Sequence, residues 1–184
     1  MAITFVTGNL NKLREVSAIL GDVTLAHAKL DLPEIQSMSL EDVVRAKARS
    51  AFEALKTPIL VEDVAVEIEA MGGMPGPFVK FWEQQAGYDR ALTLARHENN
   101  DRVHLYCGAA YKDAEQEIFT LGKVFGRLVN RVGDNGWGFD PYFLPEGFEM
   151  TYAQMGPEQK NQISHRVQAF SKLRDILQGK NLLS

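Results

Sequence analysis

Several short stretches of this chain carry side chains suited to phosphate and metal chemistry. Thr7-Gly8-Asn9-Leu10-Asn11-Lys12 follows the β-rich run 3–6 and enters a segment with Leu13, Val16, Ile19 and Leu20 on one helical face. A hydroxyl, an amide, a glycine and a lysine at a strand-to-helix turn suit phosphate oxygens. The first N–H groups of a helix lack intrahelical acceptors and are expected to be open to an anion. The Walker spacing is absent, and an ordinary turn accounts for the same residues. Glu41-Asp42 lies in the first turn of a helix, and Glu62-Asp63 ends the apolar run 59–61. Each acidic pair alone reads equally as surface or helix-start charge. Together they could hold a hard divalent cation such as Mg²⁺, which takes oxygen ligands.

The segment 134–143 packs Trp137, Phe139, Tyr142 and Phe143 with Gly136 and Gly138. Aromatic faces stack on flat rings and glycine permits close approach, so a wall for a base is one reading and a tight core the other. Lys160, Ser164, His165 and Arg166 gather donors around the start of the last helix, for a base carbonyl, a phosphate or solvent. Cys107 lies in an apolar run and reads as a buried, inert thiol. His27, His97 and His104 read as structural or solvated, and no spacing suits a structural zinc.

These residues need elements to place them. A strand over 3–6, a helix over 11–20 and a second strand within 23–30 make an early βα unit, which favours parallel strands. Ser39 with Asp42 three residues on predicts a capped helix carrying Val44, Ala48, Ala51 and Leu55, closed by Pro58. A strand over 59–61 ends at the acidic pair, and 64–70 alternates as a separate half-exposed strand. Gly72-Gly73-Met74-Pro75-Gly76-Pro77 reads as a loop of defined shape. A helix over 79–96 breaks near Gly87, and 103–111 and 117–122 pair as strands. A further strand covers 125–131. The last helix, 164–177, turns Ala169, Leu173, Ile176 and Leu177 inward. The fold class is α/β: a mixed twisted sheet flanked by helices, one domain over 1–184, with a cleft between two lobes.

Composition bounds the function. The 184 residues, 45% of them hydrophobic, bury a core without disulfides or metals. With 20 Lys+Arg against 24 Asp+Glu the formal charge is −4, opposite in sign to a surface that holds nucleic acid. No apolar run reaches membrane-spanning length, and no signal peptide is apparent, so a cytoplasmic protein is expected.

Five pieces in order, T-G-N-L-N-K at 7–12, V-E-D at 61–63, G-G-M-P-G at 72–76, G-W-G-F-D-P-Y-F at 136–143 and K-N-Q-I-S-H-R at 160–166, resemble the inosine triphosphate pyrophosphatase family. The resemblance runs from Thr7 to about Leu177. It implies a homodimer that uses Mg²⁺ to split inosine, deoxyinosine and xanthosine triphosphates into monophosphate and pyrophosphate. It also implies Thr7, Asn9, Lys12 and Lys47 on the phosphates, and Asp63 as the catalytic and metal-binding carboxylate. Asp42 is implied as the second metal ligand, with Glu41 as its competitor and Glu62 as support. Trp137, Phe139, Asp140, Lys160, His165 and Arg166 fall to the base. The chain departs from the family pattern at Val64-Ala65, where a hydroxyl residue and glycine are usual. That departure removes a hydrogen-bonding side chain and would strain Ala65 if φ had to be positive. It motivates two alternatives, a shifted base preference and a catalytically weak nucleotide-binding protein.

Overall fold

The computed structural model describes residues 3–183. Helix α1 (Leu10–Leu20) starts on Asn9, whose Oδ1 accepts from the N–H groups of Asn11 and Lys12. Helix α2 (Leu40–Leu55) starts on Ser39, whose hydroxyl accepts from Asp42 N–H as the capping pattern predicts. It buries Val43, Val44, Ala48 and Ala51, and it stops at Lys56 with φ at 55°.

Strand β1 (Ile3–Val6) pairs in parallel with β2 (Leu25–Ala28) and with β3 (Ile59–Ile68), as the βα unit predicts. The two-residue β4 (Pro75–Gly76) lies antiparallel on β3. Helices α3 (Val79–Gln85) and α4 (Tyr88–His97) break at Gly87, as expected. Strands β5 (Arg102–Lys112), β6 (Glu117–Leu128) and β7 (Phe143–Pro145) follow, with β7 antiparallel to β6. The chain ends in α5 (Pro157–Ile163) and α6 (His165–Gly179). The sheet has seven strands in the order β2-β1-β3-β5-β6-β7, with β4 on β3, so the mixed α/β class holds.

Four local expectations change. Strand β3 runs unbroken through Glu62-Asp63, so the acidic pair sits mid-strand and 64–70 is no separate strand. Strand β6 continues past Gly122 to Leu128, which removes the separate strand over 125–131. Helix α5 was hidden because Pro157 and its polar residues show no apolar stripe. Ile176 is exposed, and the inner face of α6 uses Phe170 beside Ala169, Leu173 and Leu177. Ala65 lies in extended backbone within β3 and has no positive φ, so it carries none of the strain considered above.

Contacts divide the chain into two compact units. The first takes the residues up to 63, 107–122 and those from 165 onward. Phe5, Val16, Ile59, Leu60, Ala109 and Phe170 are buried within it, and the Phe170 ring meets Phe5 edge-on at 5.9 Å. The second takes 64–106 and 123–164 and has its own core around Val66, Ile68, Tyr88, Leu92, Leu105, Phe139, Phe143 and Tyr152. Among the described residues no helix is long and apolar enough to cross a membrane.

Helix α6 is seated on β6 within the first unit. Thr120 donates its hydroxyl proton to Ala169 O at 2.9 Å, and Lys172 Nζ donates to Leu121 O at 2.8 Å. A Cβ on Gly122 would strike the carbonyl of His165 and stand 2.7 Å from Ala169 N. Backbone cannot retreat as a flexible side chain can. Gly122→Ala is therefore expected to cost about 2–3 kcal/mol, read as a lowered urea midpoint with an unchanged m-value. An unshifted midpoint would show that α6 does not pack this closely.

Candidate functional site

Strand geometry separates the two carboxylates that the sequence sets side by side. Neighbouring side chains on a strand face opposite ways, so Glu62 and Asp63 enter different surroundings. Glu62 is buried, and it accepts from Lys12 Nζ at 2.5 Å, Arg166 Nε at 2.8 Å and Cys107 Sγ at 3.2 Å. Arg166, also buried, extends Nη1 to Glu15 at 2.5 Å. Burial pushes the Glu62 pKa up, but Arg166 and then Lys12 outweigh it and hold the carboxyl well below the ordinary carboxylate range. Burial, then Glu62, push the Cys107 thiol well up, so it remains a protonated donor. The inert reading of Cys107 is thus joined by a partner that sequence did not reveal.

Asp63 turns to helix α2. Its Oδ2 lies 2.7 Å from Lys47 Nζ, and the same ammonium lies 2.8 Å from Glu34 Oε1. Burial alone would lower the Lys47 pKa. Attraction and hydrogen bonding to Asp63, then to Glu34, outweigh it and raise the pKa, keeping the lysine charged. Asp42 is exposed in the first turn of α2, and Glu41 is taken by Arg45 at 2.7 Å. The carboxylate that shares a cation with Asp63 is therefore Glu34, from the irregular segment before α2. Nothing in the spacing of that segment singles Glu34 out as a ligand. Glu15 was also missed, although it lies one helical turn beyond Lys12 and so on the same face.

The strand-to-helix turn is tied down by its own side chains. Asn9 N–H donates to Thr7 Oγ1 at 3.1 Å, and Asn9 Oδ1 takes the Asn11 and Lys12 N–H groups. The expectation that the first helical N–H groups are left open is corrected for those two. Thr7, Asn9, Lys12 and Lys47 all belong to the first unit, with Asp63, His165 and Arg166.

In the second unit, Asp140 organises the glycine- and aromatic-rich loop. Its buried Oδ2 accepts from Trp137 N–H at 3.0 Å and from Lys160 Nζ at 2.7 Å. Gly136 has φ +83°, and a Cβ there would strike that same carboxylate. The Lys160 ammonium lies 5.6 Å from the Trp137 ring centroid and 5.7 Å from that of Tyr152. Trp137 also borders a hollow of about 360 Å³ with Tyr88, Asn135 and Tyr142. Phe139 does not line that hollow; it packs in the core, 4.8 Å from Tyr88 centroid to centroid. Of the donors expected at the base, Lys160 is gathered with Trp137 and Asp140. The Arg166 guanidinium is engaged by Glu62 and Glu15.

A model of the Ham1 family matches residues 3–176. The chain belongs to the Ham1 family. It is 37% identical over 186 residues to an inosine triphosphate pyrophosphatase of Batrachochytrium dendrobatidis, covering 100% of this chain and 97% of that one. Its structure resembles the Ham1 protein of Staphylococcus aureus with a TM-score of 0.84 and 25% identity, covering 98% and 100%. It also resembles a nucleoside-triphosphatase (dITP/XTP pyrophosphatase) of Mycobacterium abscessus with a TM-score of 0.70 and 29% identity, covering 94% and 98%. Family membership thus agrees with the resemblance read from the five motifs.

The donor chemistry around Lys47 suits a divalent cation. Two carboxylates, Glu34 and Asp63, already converge on one positive charge. Mg²⁺ is commonly held by one or two carboxylates together with phosphate oxygens and waters. Among the described residues no group of three or more acidic, histidine or cysteine side chains is gathered to hold a metal. The Glu34 and Asp63 carboxylates would fit a metal whose other positions are filled by phosphate oxygens and waters.

Proposed function

We propose that this protein hydrolyses inosine, deoxyinosine and xanthosine triphosphates to nucleoside monophosphate and pyrophosphate, removing them from the nucleotide pool. The observation that carries the reading is the Glu34–Lys47–Asp63 cluster, in a chain that belongs to the Ham1 family. It gives acidic oxygens and a cation suited to a phosphate oxygen in one place. The names of the relatives supply the substrate class.

Thr7, Asn9, Lys12 and Lys47 hold the triphosphate, and Asp63 orients a water and accepts its proton as the α–β phosphoanhydride breaks. Glu34, in place of Asp42 or Glu41, joins Asp63 in holding Mg²⁺. When bound, that ion offsets phosphate charge and polarises phosphoryl oxygens. Glu62 supports from the other face of β3, fixing Lys12. Lys160, oriented by Asp140 beside Trp137, donates to the 6-oxo group of hypoxanthine or xanthine. His165 contributes at the same base, Phe139 backs the loop from its core, and Arg166 acts through Glu62. Adenine offers an amino donor at position 6 and would set donor against donor at the Lys160 ammonium, a large penalty. The whole of 1–184 works as one pyrophosphatase domain, as a cytoplasmic homodimer, with no nucleic-acid or membrane partner.

A panel of ITP, XTP, dITP, GTP, ATP and dUTP, with pyrophosphate and orthophosphate detected separately, tests turnover, base and cleavage position together. ITP, dITP and XTP are expected to exceed ATP by at least about a hundredfold in kcat/KM, with pyrophosphate as product. Val64 favours a second reading, because it places a side chain without a hydrogen-bonding group beside Asp63. Under that reading the peak of the panel moves to another base. Binding without turnover would favour a nucleotide-binding protein.

A further inference from the structure

The two lysines of the phosphate cluster are already matched by carboxylates. Lys12 and Arg166 share Glu62, Arg166 also meets Glu15, and Lys47 lies between Asp63 and Glu34. Three cations thus face four carboxylates, a net negative setting for a polyphosphate. Capture needs positive charge that is not already engaged.

Lys29 supplies it. Thr7 N–H donates to Ala28 O at 3.0 Å, and His27 Nε2 lies 2.8 Å from Thr7 O, so the end of β2 is laid along the start of the 7–12 turn. The exposed Lys29 follows at once, and its stem runs beside the exposed Gly8. A Cβ built on Gly8 would lie 3.7 Å from Lys29 Cε and 3.8 Å from its Cγ. The ammonium is one bond further on. Gly8 has no positive φ, so what its glycine provides is bare backbone under the lysine rather than a left-handed turn. Among the described residues Lys29 has no carboxylate partner, unlike Lys12 and Lys47.

We propose that Lys29 is a third phosphate-binding cation of the Thr7–Lys12 turn, the one that meets the incoming polyphosphate first. The inference rests on the phosphate site of the proposed function. Its long stem lies on the turn while the head stays in water, free to swing onto a phosphate oxygen. Being uncompensated, it also contributes to steering a polyanion toward the turn.

Isothermal titration of wild type, Lys29→Met and Lys29→Arg with inorganic tripolyphosphate in Mg²⁺ tests this, at low and at physiological salt. Lys29→Met is expected to bind about tenfold more weakly, with a shallower salt dependence, and Lys29→Arg to recover most of the loss. With ITP, KM rises about tenfold while kcat stays within about twofold, as for loss of a contact equal in ground and transition states. Inosine binding and the melting temperature stay unchanged, which a merely structural role would not give. Equal tripolyphosphate affinity in wild type and Lys29→Met would remove Lys29 alone. Failure of wild type to bind tripolyphosphate would overturn the phosphate site and this inference with it.

Discussion

Asp63→Asn is expected to lower pyrophosphate release from ITP in Mg²⁺ by about a hundredfold or more, the range for losing a positioned proton acceptor. Asparagine keeps the shape and one acceptor oxygen of aspartate. It loses the negative charge that faces Lys47 and the basicity needed to take a proton from water. The fold has little reason to respond. Lys47 keeps Glu34 at 2.8 Å, and the Asp63 side chain is partly open to solvent, so stability should change by no more than about 1 kcal/mol. Initial rates and a urea melt on the same preparation separate the two effects. Retained activity would sink the assigned role of Asp63, and a large loss of stability would make the rate uninterpretable as chemistry.

Arg166→Met is expected to cost about 3–5 kcal/mol, because it strips a buried carboxylate of its main partner without removing the carboxylate. Glu62 would keep Lys12 and the Cys107 thiol, while Glu15 would lose the Arg166 bond. Adding Glu62→Gln should recover part of the loss, since the stranded charge is then gone. A double-mutant cycle by urea unfolding measures that coupling. Arg166→Met with a wild-type midpoint would contradict the pairing.

The same cluster sets an acid limit on stability. Glu62 ionises more readily folded than unfolded, so the unfolded state binds its proton first. Its contribution is fully present above the unfolded pKa of about 4.3. It is lost as pH falls below that value and through the lower folded one, at up to about 1.4 kcal/mol per pH unit. Glu62→Gln should flatten that part of the stability–pH curve while lowering stability at neutral pH. An unchanged slope below about pH 4.3 would mean that Glu62 is not held ionised.

Local chemistry was legible wherever its cause was local. Ser39 and Asp42 announce the start of α2 because the cap bond spans three residues, and Gly87 marks the break between α3 and α4. Order along the chain carried the family through five motifs. What escaped depended on partners distant in sequence. Gly122 reads in sequence only as the end of a strand, yet β6 runs on through it and α6 rests on it. Helix α5 carries Lys160 to Asp140, and its own seven residues give no periodic signal of it.

By itself the sequence determined the mixed α/β class, the capped start of α2, the parallel opening and the residue types available for phosphate, metal and base. Those follow from periodicity, caps and short motifs, whose physics acts over a few residues. Only the tertiary structure decided which charges meet. The strand pleat sends Glu62 to Lys12 and Arg166 and Asp63 to Lys47, and chain folding brings Glu34 to that lysine while Asp42 stays in solvent. A carboxylate's role is set by the charge within a few ångströms of it, and spacing along the chain does not fix that distance.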